Sequence, residues 1–391
     1  MSDKKIPRNK DNDYTETSAQ TRRDFIQQKT DAQLTHLSQY STDVSTLPGN
    51  IENFTGMAQV PVGLAGPVLI NGEHAQGEFY VPLATTEGTL VASYSRGMRL
   101  LTASGGVKTT VLESYMQRAP VFLFASAGEA RDFGDWLEQR YEDIKAAAEA
   151  TTSIGKLHHI DQYGIGPMRY LRFSYTTGDA AGQNMTNKAT YAACEWIKQN
   201  HPSNAIRYML SGNIDSDKKY SRLNTLNSRG KRVVAEVTIP SDVLKDVMRV
   251  DGKTLFQQRQ VSNTGSLIAG NANNGAHAAN GLTAMFIACG QDAANVAESH
   301  AGTVYCQLLD NGDYYWSITL PSLIVGTYGG GTGLSTQKEC LDILGCYGKG
   351  KANKFAEIVA ATVLAGDISL ASSIMAGDFV ASHDQYGRNR P

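Results

Sequence analysis

A chain of 391 residues with 41% hydrophobic side chains exceeds what one ordinary core organises, and implies two or three domains. Its 36 basic and 38 acidic side chains nearly cancel, so no overall field directs it to nucleic acid or to an anionic membrane. The five cysteines (Cys194, Cys289, Cys306, Cys340 and Cys346) are scattered without a CxxC or Cys/His pairing, which points to a reducing, cytoplasmic compartment, no disulfide frame and no zinc site. The polar N-terminus lacks the apolar run of a secretory signal, and no uncharged apolar stretch approaches the ~20 residues of a membrane span.

Residues 1–50 read as a polar segment with one weak helical pattern over 21–36, carried by Phe25, Ile26 and Leu34. Residues 59–67, Gln-Val-Pro-Val-Gly-Leu-Ala-Gly-Pro, hold enough proline and glycine to predict an irregular, constrained segment. Residues 83–93 read as a strand end, a turn and a helix start, with Thr85 or Thr86 as the cap and Glu87 in the first turn. A carboxylate there is favoured by the helix dipole whatever its chemistry. Arg96 and Arg99 share a helix face at i, i+3, as either a solvated basic face or a site for a phosphate-rich ligand.

Residues 119–210 alternate in the order β-α-β-β-α-β: a strand at 120–124, helical spacing from Phe133 to Ala148, strands near 155–160 and 168–175, a helix over 180–200 and a strand at 205–210. That order predicts a split βαβ, ferredoxin-like unit. Neither G-x-G-x-x-G after a first strand nor G-x-x-x-x-G-K-[ST] occurs. Gly178-Asp-Ala-Ala-Gly-Gln-Asn184 opens the second helix instead, and small residues at a helix start let a phosphate approach free N–H groups.

Between two strand candidates, 205–210 and 232–239, lies Ser211-Gly-Asn-Ile-Asp-Ser-Asp-Lys-Lys219. In an extended loop Lys218 and Lys219 point apart and can serve different partners; a solvated turn is the plain alternative. A small-residue helix from Thr283 to about His300 would bury Asp292, which then needs a partner or a shifted pKa. Strands at 304–308 and 313–319 lead to Gly329, Gly330 and Gly331, either a pyrophosphate cradle or a tight turn. Lys349, Lys351 and Lys354 read as a solvated turn, and 355–375 as a helix. His383, near the polar end, is either a bystander or a proton donor on a segment that closes over a site.

Taken together, Glu52-Asn53…Gly56, Pro61-Val-Gly-Leu-Ala-Gly-Pro67, Ala84-Thr-Thr-Glu-Gly88, Gly178-Asp-Ala-x-Gly-x-Asn184, Asp217-Lys-Lys219, His277-Ala-Ala-Asn280, Gly290-Gln-Asp292, Gly326-Thr-x-Gly-Gly-Gly-Thr332 and Ser382-His383 resemble hydroxymethylglutaryl-CoA reductases over residues 51–383. The chain is similar to the class shared by eukaryotes, archaea and some bacteria, since it stops soon after His383 whereas the other class adds a flap domain. With no membrane segment it resembles a soluble bacterial member.

The resemblance implies an α+β fold: a large mixed helix/sheet substrate domain (51–118 and 222–383) with an inserted ferredoxin-like cofactor domain (119–210). A catalytic connecting loop (211–221) would join them, with 1–50 and 384–391 as terminal segments. It implies a four-electron reduction of 3-hydroxy-3-methylglutaryl-CoA to mevalonate and CoA with two NADPH, NADH or a related 3-hydroxyacyl-CoA being the alternative. Lys218 would bind the reacting oxygen, Glu87 supply a proton at the aldehyde stage, Asp292 link the two, and His383 protonate the CoA thiolate. Arg118, Ser211, Asp217, Lys219 and Asn280 would bind the substrate carboxylate, and Arg96, Arg99 and His277 the CoA. Asp179, Gly182, Gln183, Asn184, Gly329, Gly330, Gly331 and Thr332 would bind the nicotinamide nucleotide. Active sites between subunits would make a homodimer, or a dimer of dimers, the working unit.

Three positions depart from the family pattern. Gln260 stands where a substrate-contacting lysine is expected, with Arg259 beside it as a substitute. Ser153 stands near the arginine that contacts a 2′-phosphate, with Lys156 close by. Asn389 replaces the serine that eukaryotic relatives phosphorylate.

Overall fold

The computed structural model describes residues 5–203 and 207–377. The chain enters through Glu16–Thr30 (α1), capped by Thr15, whose hydroxyl accepts the Ser18 N–H. This helix lies earlier than the 21–36 expectation because its buried face is charged: Arg22 pairs with Asp13 and donates to Phe54 O at 2.8 Å. Val62–Asn71 (β1) and Gln76–Ala84 (β2) form an antiparallel pair. β1 corrects the expected irregular segment, since a bulge between Ala65 and Val68 absorbs Gly66 and Pro67, which has no ladder N–H.

Leu90–Ala103 (α2) leads to Lys108–Arg118 (β3) and, beyond Ala119 and Pro120, to Val121–Leu123 (β4). Where one helical run was expected there are two helices, Ala127–Gln139 (α3) and Tyr141–Glu149 (α4), broken at Arg140. Lys156–Ile165 (β5), Met168–Thr176 (β6), Gln183–Asn200 (α5) and Arg207–Met209 (β7) complete this part. Its strands lie in the order β7-β4-β6-β5, every pair antiparallel. Phe122, Phe133, Leu137, Ile144, Phe173 and Ile197 belong to a core separate from the main one and from a small cluster of Ala19, Val44, Leu47 and Phe54.

Arg222–Asn227 (α6), Gly230–Ile239 (β8), Ser241–Met248 (α7), Gly252–Ala269 (α8), Ala278–Ala288 (α9), Val296–Ser299 (α10), Thr303–Leu308 (β9), Tyr314–Leu323 (β10), Ser335–Ile343 (α11) and Ala352–Met375 (α12) make up the remainder. β3 joins the two parts in one sheet. Its residues 108–115 pair with β8, and 116–118 pair with β6, so the strand order is β7-β4-β6-β3-β8-β10-β9 with β5 beyond β6. The fold is α+β.

α12 is long and apolar enough to cross a membrane by length and composition, but 83% of its most apolar window is buried inside the protein. Its glycines and alanines admit close neighbours. A Cβ on Gly97 of α2 would stand 1.9 Å from Ala365 O, and Cβ atoms on Gly281 and Gly366 would strike the Tyr94 ring. Glu357, fully buried in α12, accepts the N–H groups of His74 (2.9 Å) and Ala75 (2.7 Å) and so fixes the β1–β2 turn. Glu357, Glu73 and His74 each bring a ligand atom within 4.8 Å of the others; the turn engages Oε2 of the buried carboxylate, while Oε1 has no hydrogen-bond partner among the described residues.

Gly97→Ala gains about 1 kcal/mol of helix propensity, yet forces a methyl group into a backbone oxygen. Overpacking of this kind costs about 1–3 kcal/mol, and here it has nowhere to relax. The denaturation midpoint is expected to fall, by about 2 kcal/mol of stability. A midpoint at or above wild type would contradict the α2–α12 contact.

Candidate active site

Residues 211–221 connect β7 to α6, and they are wound rather than extended. The Ser216 N–H bonds Asn213 O at 3.2 Å and the Lys219 N–H bonds Ser216 O at 2.9 Å. Asn213, Ser216 and Lys218 take positive φ of 66°, 50° and 58°. Side chains other than glycine enter this region at a cost, so surrounding contacts must hold them there. Glu298 of α10 accepts the Lys218 N–H from below. The carboxylate of Glu298 lies 2.9 Å from the Arg229 Nε, and Arg229 donates to Asp217 Oδ1 (2.7 Å) and Gln117 O (2.9 Å). Asn224 links Ser216 to Glu298, and Arg172 of β6 donates to Asn224 Oδ1 at 2.9 Å. Burial pushes the Glu298 carboxyl up to about 7 against the opposing pull of Arg229.

The Lys218 ammonium points the other way, 2.9 Å from Asp292 Oδ2, with both side chains nearly half exposed (45% and 43%). The bond to Asp292 raises the Lys218 pKa. Asp292 therefore does not sit in a buried helix, as the run of small residues had implied. α9 ends at Ala288, Gly290 turns at φ 67°, and Asp292 caps the short turn Ala293–Asn295 by accepting the Ala294 N–H at 3.0 Å. The break is enforced by contact: a Cβ on Gly290 would stand 2.3 Å from Gly331 O. Gln291 fastens the same corner, donating to Gly326 O (3.0 Å) and accepting the Gly326 N–H (2.8 Å).

Lys219 donates back to Asp217 O at 2.7 Å. Arg118 and Ser211 converge on Asp215, which is 1% exposed, at 3.2 Å for the guanidinium and 3.3 Å for the hydroxyl. Asp217 also receives the Gln183 amide at 3.1 Å, which in turn donates to Asn295 Oδ1 at 3.0 Å.

A cleft of about 560 Å³ opens beside this pair, lined by Gly182, Gln183, Asn184, Asp217, Lys218, Asp292 and the residues from Gly329 to Thr332. The 18-residue helix α5 begins at its wall, and Gly182 caps it without a side chain, leaving first-turn N–H groups for an anion. A Cβ on Gly329 or Gly330 would meet nothing within 4 Å, so both keep the opposite wall low, while Thr332 bonds back to Gly329 O at 2.7 Å. Asp179 is used structurally: it accepts the N–H groups of Gly350 (2.7 Å), Lys351 (3.1 Å) and Ala352 (3.1 Å) at the start of α12.

Glu87 lines a separate recess of about 350 Å³ with Asn280, whose amide donates to it at 3.1 Å and 3.3 Å. The expected cap is corrected here. α2 starts at Leu90 after Thr89 (φ 71°), and Thr85 accepts the Glu87 N–H at 3.0 Å in the preceding turn. Arg99 is exposed on α2, whereas Arg96 reaches Ser369 O of α12 at 2.7 Å.

His277 is buried edge-on against Tyr94, which donates its single proton to His277 O at 2.9 Å. That assignment makes His277 Nδ1 the donor in its 3.0 Å contact with the Tyr94 hydroxyl. Burial lowers the His277 pKa, and Asp367, itself pushed up to about 6 by burial, accepts the backbone N–H of His277 at 2.7 Å. Arg259 is not a surface substitute for the expected lysine, since it is buried 5.8 Å from the Trp316 ring while Gln260 is exposed. Lys156 pairs with Glu149 at 3.0 Å. His383 and Asn389 lie outside the described residues.

The family model for hydroxymethylglutaryl-coenzyme A reductase matches residues 18–388. The chain is 42% identical over 377 residues to the 3-hydroxy-3-methylglutaryl-coenzyme A reductase of Methanocaldococcus jannaschii, covering 95% of this chain and 93% of that one. It belongs to the hydroxymethylglutaryl-coenzyme A reductase family. The reductase of Aeropyrum pernix is 43% identical over 378 residues, covering 95% of this chain and 90% of that one. A class II 3-hydroxy-3-methylglutaryl-CoA reductase from Streptococcus pneumoniae, solved bound to NADPH in open conformations, superposes with a TM-score of 0.69 over 90% of this chain and 92% of its own. At 21% identity that likeness speaks to the fold.

In this reductase-family chain the motifs bring together Lys218, Asp217, Asp292, Gln183 and the glycine loop, and leave Glu87 with Asn280 in a second recess. Glu298, Arg229, Asp215 and Asn224 were missed. The available signal was a set of charged or amide residues inside otherwise apolar or turn-forming stretches, which predicts buried pairing. Asp292→Asn is expected to lower the Lys218 pKa, read from the side-chain nitrogen resonance; an unchanged titration would contradict the pair.

Proposed function

We propose that the chain reduces 3-hydroxy-3-methylglutaryl-CoA to mevalonate and CoA, consuming two NADPH and two protons, the committed type of step that supplies mevalonate for isoprenoids. The observation that carries this reading is the Lys218–Asp292 pair, 2.9 Å apart on the wall of a cleft that also holds an uncapped helix start and a bare glycine loop. NADPH supplies the hydride in each of two reductions. The free N–H groups at Gly182, Gln183 and Asn184, and the loop from Gly329 to Thr332, would hold it, since both walls lack the side chains that would keep a pyrophosphate away.

Lys218 stays charged beside Asp292 and donates to the thioester oxygen as negative charge develops there, then to the oxygen of the hemithioacetal. His383 gives a proton to the departing thiolate, and Glu87 gives one to the aldehyde oxygen at the second reduction. Arg118, Ser211, Asp217, Lys219 and Asn280 bind the distal carboxylate, with the wound loop presenting Lys218 and Lys219 to different partners. Arg96, Arg99 and His277 serve the CoA, and the single-chain contacts of Arg96 and His277 would have to open for it.

The complete site is read as shared between two subunits of a homodimer, with Glu87 and Lys218 in separate recesses of one chain as support. The part from 119 to 210 is read as an inserted ferredoxin-like cofactor domain, which its separate core and β7-β4-β6-β5 order favour. Membership in the class shared with archaea is favoured by identities near 42% with archaeal reductases against 21% with the class II enzyme. Five cysteines, all free and buried, favour the cytoplasm. A second reading, NADH or a related 3-hydroxyacyl-CoA, draws on the Lys156–Glu149 pair and on the uncharged Gln260.

Reduced-nicotinamide absorbance with hydroxymethylglutaryl-CoA should fall with NADPH faster than with NADH; loss with neither would end this reading. Lys218→Ala should reduce kcat by about 10³-fold or more in both reductions. His383→Gln should impair reduction of the thioester while added mevaldehyde is still reduced, and equal loss in both assays would remove the assigned role of His383.

A further inference from the structure

Beneath the 211–221 loop lies a carboxylate that no motif and no step of the reaction uses. Glu298 is 1% exposed, and both of its oxygens are engaged. Oε1 accepts the Lys218 N–H, and Oε2 faces the Arg229 Nε at 2.9 Å and the Asn224 amide at 3.4 Å. Burying an ion pair is a poor way to gain stability, because desolvation offsets much of the attraction. What this pair does accomplish is geometric. Lys218 has φ 58°, a conformation its Cβ disfavours, and the N–H turned inward by that conformation meets the Glu298 carboxyl group. With the N–H held inward, the side chain leaves the loop outward and reaches Asp292. Lys218 is thus clamped between two carboxylates, one on its backbone and one on its ammonium.

We infer that Glu298 is a positioning residue for the reduction, acting through the backbone of Lys218 and never touching the substrate. This inference rests on the reading of Lys218 as the group that binds the reacting oxygen. Arg229 carries the hold further, since its other end bonds Asp217, which also takes the Gln183 amide from the first turn of α5. The backbone of Lys218 and the nucleotide side of the cleft therefore share one buried anchor.

The charged and titratable groups around Glu298 are Arg229 and Asp217, with Lys218 above and Arg172 reaching Asn224 from β6. Burial, opposed by Arg229, leaves the Glu298 carboxyl near 7. Protonation as the pH falls through that value weakens the clamp, so kcat should decline on the acid side.

Two variants test the inference in the full-length chain. Glu298→Gln keeps the shape and removes the charge; Glu298→Asp keeps the charge for Arg229 but withdraws it from the Lys218 N–H. The measurements are kcat and KM for both substrates, the pH profile of kcat, and hydrogen exchange of the Lys218 amide. In both variants kcat is expected to fall by about 10- to 100-fold with KM little changed, and the Lys218 amide to exchange at least about tenfold faster. The acid limb of kcat near pH 7 should vanish in Glu298→Gln.

A merely structural role predicts that Glu298→Asp, which retains the ion pair, keeps wild-type kcat; that result, or faster exchange with unchanged kcat in either variant, overturns the inference. If Glu298→Gln does not fold, Glu298→Asp decides alone. Wild-type protein without reductase activity would overturn the functional reading instead, while the exchange rates would still report whether Glu298 holds the loop.

Discussion

The N–H of Lys218 has to meet the carboxylate of Glu298, and much of the surrounding structure is arranged around that meeting. Three non-glycine residues of one short loop occupy the left-handed region, which a free loop would leave for lower-energy conformations. They stay because the loop sits on a floor of paired groups: Arg229 and Glu298 below, Asp215 with Arg118 and Ser211 on one side, Asn224 and Arg172 on the other. The floor is built from both parts of the sheet. Arg172 belongs to β6 and Arg229 immediately precedes β8, with β3 between those strands.

The second constraint is close approach of main chains. Gly290 touches Gly331, and a Cβ on Gly326 would stand 2.8 Å from Ala181 N, so the corner bearing Asp292, the glycine loop and the start of α5 meet within one cleft. Asp179 adds a third tie by capping α12 across the same junction. The cleft is therefore a seam between two packed units. The 211–221 loop, the start of α5, the corner bearing Asp292 and the glycine loop all line it.

The sequence made some of this legible and hid the rest for identifiable reasons. The pattern within 119–210 was read as six elements where there are seven, because the apolar stripe from Phe133 to Ala148 runs on across the break at Arg140. The helix over 355–375 was plain. The strand through Gly66 and Pro67 was missed because a bulge, a tertiary accommodation, lets residues that ordinarily break a strand remain in one. Asp292 was misplaced because a run of small residues has the composition of a buried helix, and the break after Ala288 is set by the distant loop at Gly331. The motif positions were readable as a set, but what each touches was not. Asp179 reads as a ligand group and accepts N–H groups at a helix start, and Arg259 reads as a spare cation and lies buried over Trp316. Glu298 showed itself only as a charge among small and apolar residues, and which groups it supports is set by the fold.

Where Lys218 lies when the thioester is bound decides its role most directly. A crystal structure of the chain with hydroxymethylglutaryl-CoA and oxidised nucleotide should show the Lys218 ammonium within hydrogen-bond distance of the thioester carbonyl oxygen, with φ of Lys218 still positive and its N–H still on Glu298. A carbonyl oxygen held by another group, or a Lys218 backbone that has left the left-handed region while its ammonium remains on the substrate, would contradict it.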